Sequence, residues 1–319
     1  MAVLVGIDEA GYGPILGPLV VSSAAFEIPA GLLKADLWHV LNKSISNRKK
    51  YLAGRLLIAD SKKAHNKRDG IKHLQRTVLS CLSCLEKKPV TAADLLSLLC
   101  PDSLQRLSGY PWHKNLDSHK IIANEADIAV ACSAFMNDMG TNDMKLLELR
   151  SSCLDVAHYN KMVNAVKNKS RVLFTAVCQL MKTAFDNFGE DELQIVVDRQ
   201  GGLTHYRPGL QRMFEDMGLK IIEETDAHSS YELTGGGRKM KLHFVIKADD
   251  RFMPVSLASM VCKLLRELLV SDMNRYFLGF SPELKPTAGY WKDGLRFIED
   301  LKKHIPHVQY DPNQMIRCR

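Results

Sequence analysis

The sequence predicts an α/β fold in which a mixed β-sheet is flanked by helices. Short apolar runs of strand length alternate with long helical patterns along the 319 residues, as in proteins whose helices cover a sheet. Two early runs, 3–8 and 19–27, are joined by a glycine-rich turn and predict an antiparallel strand pair, so the sheet is not all parallel. The composition, 46% hydrophobic and 25% charged, is that of a globular protein.

Apolar runs that suit strands share a length of three to ten residues and end in turn signals or charge. The runs over 231–233 and 240–247 lie on either side of three consecutive glycines and predict a hairpin. The predicted strands are 3–8, 19–27, 145–154, 193–198, 219–223, 231–233 and 240–247, with a further short apolar run at 56–60.

Helical periodicity separates these runs. The predicted helices are 31–45, 67–86, 158–187, 207–217, 254–278 and 292–304. Residues 88–142 mix short helical runs with turns, and we interpret them as an insertion that elaborates the main fold. The chain is therefore expected to form a single domain over 1–319, with 279–319 as a C-terminal helical segment.

Several classes of protein are disfavoured by the pattern of hydrophobic residues and cysteines. No apolar stretch approaches the roughly 20 residues that span a bilayer, and the N-terminus lacks the features of a signal peptide. A cytoplasmic protein without a membrane partner is the default expectation. Of the eight cysteines, Cys81 and Cys84 alone have metal-ligand spacing. No second pair matches them, so buried thiols are the favoured interpretation.

Positive charge is concentrated in one segment. Between Lys43 and Arg76 there are eleven Lys or Arg residues and two acids, so the formal charge of this segment is +9. The whole chain has a net charge of +7, so the remaining residues together carry −2. Such a block suits a phosphate backbone, although charged runs are more often a solvated surface. Alone, it favours a nucleic-acid partner only weakly.

Carboxylates follow three of the apolar runs. Asp8 and Glu9 end the first run, Asp198 ends the run over 193–198, and Asp249 or Asp250 follows the run over 240–247. A single acid at a strand end is unremarkable, but four that meet at one edge cannot all ionise without a counter-charge. Oxygen ligands are those that Mg²⁺ and Mn²⁺ prefer. The set predicts a divalent-metal site, where two ions could support phosphoryl transfer to water.

The first block, GIDEAGYGPILGPLVV from Gly6, closely resembles the opening signature of the type 2 ribonuclease H family (RNase HII and HIII). Later blocks are similar to further family motifs in the same order. They are Ala59–Lys63 (an Asp-Ser-Lys motif), Ile195–Asp198 (the third acid), Lys247–Asp249 with Ser256, Ser259 and Lys263 (the fourth acid and its helix) and Gly289-Tyr290. The chain is identified as a divergent member with insertions, over about half of its length.

The resemblance implies an RNase H-like sheet flanked by helices and an activity. Members of the family cleave the RNA strand of RNA–DNA hybrids, or cleave at ribonucleotides embedded in DNA, and leave 5′-phosphate ends. Carried over to this sequence, the catalytic and metal-binding residues are Asp8, Glu9, Asp198 and Asp249, with Mg²⁺ or Mn²⁺ as cofactor and two ions expected with substrate. Asp250 is the less favoured alternative to Asp249.

Substrate contacts are predicted from the same motifs. The turn of Gly11, Tyr12 and Gly13 would place backbone against the ribose 2′-hydroxyl, which a glycine turn permits. Ser256, Ser259, Lys263 and Arg266 share one helix face and predict an edge that faces substrate. The full set of predicted substrate residues is Gly11, Tyr12, Gly13, Ser61, Lys62, Lys63, Arg199, Ser259, Lys263 and Tyr290.

The chain departs from the family pattern in three ways, which keep two alternatives open. Tyr12 stands where the family has a basic residue, Arg199 replaces a glycine after the third acid, and the insertions are large. One alternative is a nucleic-acid-binding protein of the same fold with little or no catalysis. The other is a nuclease for structured RNA or branched DNA. Protein partners are not indicated by the sequence.

Overall fold

A computed structural model describes residues 1–66 and 68–318. Its strands are β1 (Ala2–Ala10), β2 (Leu19–Ile28), β3 (Ile45–Ser46), β4 (Leu56–Leu57), β5 (Lys145–Leu154), β6 (Glu192–Asp198), β7 (Gly218–Glu224), β8 (His228–Gly235) and β9 (Arg238–Val245). Seven of them form one sheet in the order β5-β2-β1-β6-β9-β8-β7, and β3 pairs with β4. Since β1 is antiparallel to β2 and parallel to β6, the predicted mixed sheet is confirmed.

Helices cover both faces of this sheet. They are α1 (Leu37–Val40), α2 (Ser61–Ala64), α3 (Lys72–Cys84), α4 (Ala92–Leu99), α5 (Pro101–Leu107), α6 (Glu125–Thr141), α7 (Val156–Val166), α8 (Lys169–Phe188), α9 (Arg207–Met213), α10 (Met253–Leu278), α11 (Trp291–His304) and α12 (Pro312–Met315). Among the described residues, no helix has the length and hydrophobicity needed to cross a membrane.

Alternation along β1 divides the core into two layers. Val3, Val5 and Ile7 pack with α8 on one face, while Leu4 packs with α10 on the other, as the two-residue period of a strand requires. Gly6 lies under α10 so closely that a Cβ there would be 2.2 Å from the backbone nitrogen of Val255. A glycine at this position therefore lets the helix approach the strand that carries Asp8.

Strand register brings the predicted acidic strand ends together. β1, β6 and β9 are parallel neighbours, with Ile7 opposite Val197 and Asp198 opposite Val245. Asp8 and Asp198 therefore lie at the same edge of the sheet. The 3₁₀ turn Ala248–Asp250 follows β9 directly at that edge.

The predicted helix over 31–45 is wrong. The structure has a 3₁₀ turn at Ala30–Leu32 and only the short helix α1. The break occurs because Asp36 adopts an extended conformation and its carboxylate accepts the amides of Trp38 (3.0 Å) and His39 (3.4 Å). An aspartate in this arrangement begins a new helix rather than continuing one.

Three other helices differ in extent from the predictions, and the pattern over 207–217 ends early, at Met213, as α9. The pattern over 158–187 is divided into α7 and α8 because Lys167 takes a left-handed conformation (φ 50°) and Asn168 caps the next helix. The pattern over 67–86 begins later, at Lys72, and position 67 lies outside the described residues.

Residues 88–142, which the sequence predicts to be an insertion, are anchored to the rest of the chain by polar contacts. Asp155, at the end of β5, accepts hydrogen bonds from the Tyr110 hydroxyl (2.6 Å) and from Nε of Arg106 (2.7 Å). Nδ1 of His119 lies 2.8 Å from the carboxylate of Asp272 on α10. These contacts fix α5 and the following turn against the sheet and against α10.

Candidate active site

The candidate site lies where β1, β6 and the turn after β9 meet. Asp8 is buried, with 6% of its surface exposed, and it interacts electrostatically with Glu9, Asp198 and Asp249. Asp198 is fixed by the amide of Ala248, which donates to its carboxylate at 2.7 Å. The four carboxylates predicted from separate parts of the sequence are thus within electrostatic reach of one another.

Burial and mutual repulsion disfavour ionisation of these groups. Burial is the largest cause for each, and it raises the pKa of Asp8 well above its usual range, with the Glu9 carboxylate adding to the effect. Burial and the charge of Asp198 raise the pKa of Glu9 to about 7. Burial, Asp60 and Asp198 raise the pKa of Asp249 to about 6. Raised pKa values of this kind are typical of carboxylates that are clustered without a counter-charge, and they are frequent at functional sites.

Lys62 is the predicted lysine that faces this cluster. Its ammonium group lowers the pKa of Glu9, Asp198 and Asp249, partly opposing burial. Lys63 instead forms an exposed ion pair with Asp250 at the margin of the cluster, where Asp249 also acts on its charge. The side chain of Lys62 is exposed, so it can also reach a phosphate.

The structure distinguishes Asp249 from Asp250. Asp249 raises the pKa of both Asp8 and Glu9, so its charge acts on the cluster. Asp250 is engaged by Lys63 in an exposed ion pair. The placement favours Asp249 as the fourth acid, as the motif does.

Asp60 is a fifth acidic residue near the site, and the sequence analysis did not include it among the site residues. It contributes to the raised pKa of Asp198 and of Asp249. Its carboxylate also caps α2 by accepting the amide of Lys62 at 2.9 Å. The signal was available, because Asp60 follows the apolar run 56–59 just as the other acids follow theirs.

Three predicted serine positions lie behind the acids. The Ser259 side chain partly offsets the raised pKa of Asp8, and its hydroxyl donates to that of Ser61 at 3.1 Å. Ser256 donates to the backbone carbonyl of Asp249. All three are buried, so they position the acidic edge from the α10 side.

The glycine turn lies beside this edge. Gly13 is exposed and Tyr12 is half-buried, and the Tyr12 ring is 4.9 Å from Nζ of Lys169 at the start of α8. Burial, with a smaller contribution from Glu9, raises the pKa of Tyr12. Lys169 therefore places a cation next to the turn. The sequence analysis missed this residue, because a contact between residues 157 positions apart leaves no local pattern.

The remaining predicted substrate residues differ in whether their side chains are exposed or already bonded to other residues. Tyr290 is 52% exposed. Arg199 donates to the carbonyls of Asp226 and Gly202 (3.4 Å), so its guanidinium is directed towards the loop before β8. Nζ of Lys263 lies 2.6 Å from the carboxylate of Glu267.

The expectation that Arg266 lies on an edge facing substrate is wrong. Only 1% of its surface is exposed. Its Nη2 donates to the backbone carbonyls of Leu16 (3.2 Å) and Ala288 (2.9 Å). The polar stripe of α10 therefore passes under the glycine turn rather than along an open groove.

The donor set fits a hard divalent cation in chemistry and in charge. Four carboxylates with raised pKa values offer oxygen ligands, and Lys62 only partly offsets their charge, so a divalent ion would supply the positive charge that favours their ionised forms. In the described part of the chain, however, the carboxylate groups do not surround a common metal position. Within 1–66 and 68–318, no three Asp, Glu, His or Cys side chains are arranged to hold a metal ion.

Comparison with known proteins gives likenesses in structure alone. No family model and no curated protein matches the sequence. A solved structure of RNase HII from Archaeoglobus fulgidus in complex with PCNA resembles the chain with 15% identity and a TM-score of 0.46, covering 99% of this chain and 94% of that one.

Two further solved structures are similar at 14% identity and a TM-score of 0.44. Bst-RNase HIII in complex with Mn²⁺ covers 99% of this chain, which spans 66% of its length. Aquifex aeolicus RNase H3 covers 98% of this chain, which spans 71% of its length.

Proposed function

We propose that this protein is a divalent-metal-dependent endoribonuclease. Its substrate is the RNA strand of an RNA–DNA hybrid, or a ribonucleotide embedded in DNA, and its products carry 3′-hydroxyl and 5′-phosphate ends. The observation that carries the proposal is the meeting of Asp8, Glu9, Asp198 and Asp249 at one sheet edge, beside the turn at Gly11.

The proposed roles follow from the positions of the side chains. Asp8, Glu9, Asp198 and Asp249 would hold the ions, for which Mg²⁺ or Mn²⁺ suits the oxygen ligands. The chemistry that two such ions supply when bound is activation of a water and stabilisation of the leaving oxygen. Ser259 orients Asp8, and the amide of Ala248 orients Asp198. Lys62 would bind a non-bridging phosphate oxygen as a point charge.

Selection for RNA is assigned to the glycine turn. Gly11 has a φ of +94°, a conformation that favours glycine and lets backbone groups approach a sugar closely. The 2′-hydroxyl both donates and accepts hydrogen bonds, so backbone groups at this turn could distinguish ribose from deoxyribose. Tyr290 would supply an exposed aromatic face nearby.

The basic segment supports a nucleic-acid partner. Lys49 and Arg76 pair with Asp69 and Asp127 at 2.7 Å. The exposed cations for which the described residues show no ion pair are Lys43, Arg48, Lys50, Lys62, Arg68 and Lys72. Lys67, which belongs to the same block, lies outside the described residues. Exposed cations on one segment, of which Lys62 acts on the acids, suit the phosphates of a duplex.

The deciding experiment is cleavage of labelled duplexes in Mg²⁺ and in Mn²⁺. The panel contains an RNA–DNA hybrid, DNA with one embedded ribonucleotide, DNA alone, a branched DNA and a structured RNA. We expect cleavage of the first two, with loss of about 10³-fold or more in Asp8→Asn and Asp198→Asn. Asp250→Asn is the matched control and should retain activity, since its carboxylate pairs with Lys63.

The same panel separates the alternatives. Binding of the hybrid without turnover, unaffected by Asp198→Asn, would indicate a non-catalytic binding protein. Cleavage of branched DNA or structured RNA in preference to the hybrid would indicate a different nuclease. Equal activity of Asp8→Asn and wild type would refute the metal site.

A further inference from the structure

Two buried arginines lie behind the glycine turn. Arg266 on α10 and Arg317 near the end of the chain are 1% and 4% exposed. Nε and Nη1 of each have no hydrogen-bond partner among the described residues. The carboxylate nearest to Arg266 is Glu267 at 3.5 Å, and it is shared with Lys263 at 2.6 Å.

Both guanidinium groups donate to backbone carbonyls of the same loop. Arg266 donates to Leu16 and Ala288, and Arg317 donates to Pro14. The amide of Arg317 also donates to the carbonyl of Ile15 at 2.8 Å. Among the described residues, the hydrogen bonds of these two guanidinium groups therefore all go to backbone carbonyls, of Pro14 and Leu16 in the loop and of Ala288 before Gly289.

Two glycines of the motif are packed against Arg266 and against backbone. A Cβ at Gly11 would lie 2.5 Å from the carbonyl oxygen of Pro18 and 2.8 Å from Nε of Arg266. A Cβ at Gly289 would lie 2.6 Å from the carbonyl oxygen of Leu16 and 3.2 Å from Nη2 of Arg266. The loop around Gly11 and the segment before Tyr290 are also joined directly, since the amides of Ile15 and Leu16 donate to the carbonyl of Gly289 at 2.8 and 3.2 Å. Arg266 lies where the two segments meet.

Both groups stay charged at neutral pH. Burial lowers the pKa of Arg317 to about 10, and it lowers the pKa of Arg266 from its usual value. The Tyr159 ring, 5.0 Å from the Arg317 guanidinium, adds a favourable aromatic contact. A charged guanidinium strengthens each hydrogen bond to a loop carbonyl, because hydrogen bonds from an ionised donor are roughly twice as strong as those between neutral groups.

We propose that Arg266 and Arg317 are positioning residues that hold the glycine turn and the Gly289–Tyr290 segment in one arrangement for sugar recognition. This rests on the proposed function for the part that concerns substrate. The arginines touch no substrate themselves. They act through the carbonyls of Pro14, Leu16 and Ala288, so their loss would loosen the turn without altering the carboxylates.

The test compares Arg266→Met, Arg266→Lys and Arg317→Met with wild type. Arg275→Met is the control, since Arg275 lies on the same helix but its side chain is 59% exposed. The first readout is hydrogen–deuterium exchange of residues 10–18 and 287–291 in the protein alone. We expect exchange at least tenfold faster in both Met variants, an intermediate rate in Arg266→Lys, and no change in Arg275→Met.

The second readout is steady-state cleavage of the hybrid. We expect KM to rise about tenfold in Arg266→Met with kcat within about threefold, the split that loss of substrate positioning predicts. A purely structural role would lower the amount of folded enzyme and so lower apparent kcat instead. Arg266→Lys should restore part of the KM, because an ammonium can still donate to the loop carbonyls.

Wild-type exchange and wild-type KM in a folded Arg266→Met protein would overturn the proposal. If that variant does not fold, unchanged exchange in both Arg266→Lys and Arg317→Met overturns it equally. A wild-type protein that cleaves no hybrid would refute the proposed function, whereas the exchange experiment would still decide whether the two arginines hold the turn.

Discussion

Glu9 is a candidate metal ligand whose burial lowers the stability of the metal-free protein at neutral and higher pH. Its carboxylate lies beside Asp8 and Asp198, and burial with the charge of Asp198 raises its pKa from 4.5 to about 7. The folded state therefore binds a proton more tightly than the unfolded chain does. Without a cation, this contribution to stability falls as pH rises from about 4.5 through about 7.

Replacing Glu9 by glutamine should stabilise the metal-free protein at pH 8 while it abolishes cleavage. The amide keeps the size of the side chain and removes the charge that folding must bury. We expect the free energy of unfolding to rise by about 1–3 kcal/mol, measured by urea denaturation in a chelator. Glu299→Gln, on the exposed side of α11, should change it by less than about 0.5 kcal/mol. A gain that is equal at pH 4 and pH 8 would contradict the charge explanation.

His113 makes the opposite contribution. It is buried in the insertion, and burial lowers its pKa to about 4 from 6.5. Here the unfolded chain binds the proton more tightly, so stability is lost as pH falls from 6.5 towards 4.

In His113→Asn, the loss of stability between pH 7 and pH 4.5 should be smaller than in wild type by about 2–3 kcal/mol. Urea denaturation at the two pH values measures it, and the comparison of slopes removes any effect of packing that is independent of pH. His39→Asn, at an exposed position, should leave the difference unchanged. The same pH difference in His113→Asn and wild type would show that this imidazole does not titrate as its burial requires.

At the scale of elements, Asp155 joins three parts of the chain. It directly follows β5, caps α7 by accepting the amide of His158 at 3.0 Å, and accepts hydrogen bonds from Tyr110 and Arg106 of segment 88–142. Burial opposes its ionisation, but these hydrogen bonds outweigh burial and hold its pKa below the usual value. The carboxylate thus secures α5 to the sheet.

Asp155→Ala should lower the free energy of unfolding by about 3–5 kcal/mol, because it leaves a buried phenol and a guanidinium without their partner. Thermal and urea denaturation measure the change. Asp117→Ala, at an exposed position of the same insertion, should cost less than about 0.5 kcal/mol. A small loss in Asp155→Ala would show that the insertion is held by apolar contacts instead.

Lys167 ends α7 in a left-handed conformation with φ 50° and ψ 30°. A Cβ is unfavourable there, and glycine is not strained. Lys167→Gly should therefore raise the free energy of unfolding by about 0.5–1 kcal/mol. Lys161→Gly, inside the same helix, should lower it by about 1 kcal/mol. A loss in both variants would mean that the lysine side chain contributes more than the backbone strain costs.

At the scale of the whole molecule, charge is separated into an acidic edge and a basic segment. Replacement of Lys43, Lys50 and Lys72 by glutamine should weaken hybrid binding. It should also reduce the slope of log K against log salt by roughly 0.9 for each phosphate that the protein no longer neutralises. Fluorescence anisotropy in salt from about 50 to about 300 mM measures both effects. The matched control replaces Lys239, Lys302 and Lys303, which are exposed but lie outside the segment. An equal change of slope in both variants would indicate a diffuse effect of net charge.

The strands could be predicted because their signals are local. The run over 145–154 coincides with β5, and the three glycines mark the turn between β8 and β9, where Gly236 and Gly237 both have positive φ. A helix over 31–45 was predicted wrongly, because apolar spacing does not reveal that Asp36 caps a new short helix at Leu37. The division at Lys167 is a backbone conformation that a lysine gives no reason to expect.

The sequence by itself determined which carboxylates end strands, that a glycine turn accompanies them, and that the sheet is mixed, because each of these is written in neighbouring residues. Only the tertiary structure decided that Lys169 reaches Tyr12 and that Arg266 lies under the turn rather than facing outward. The physical reason is distance along the chain. Contacts between residues far apart depend on strand order and register, which bring side chains together without leaving any local pattern.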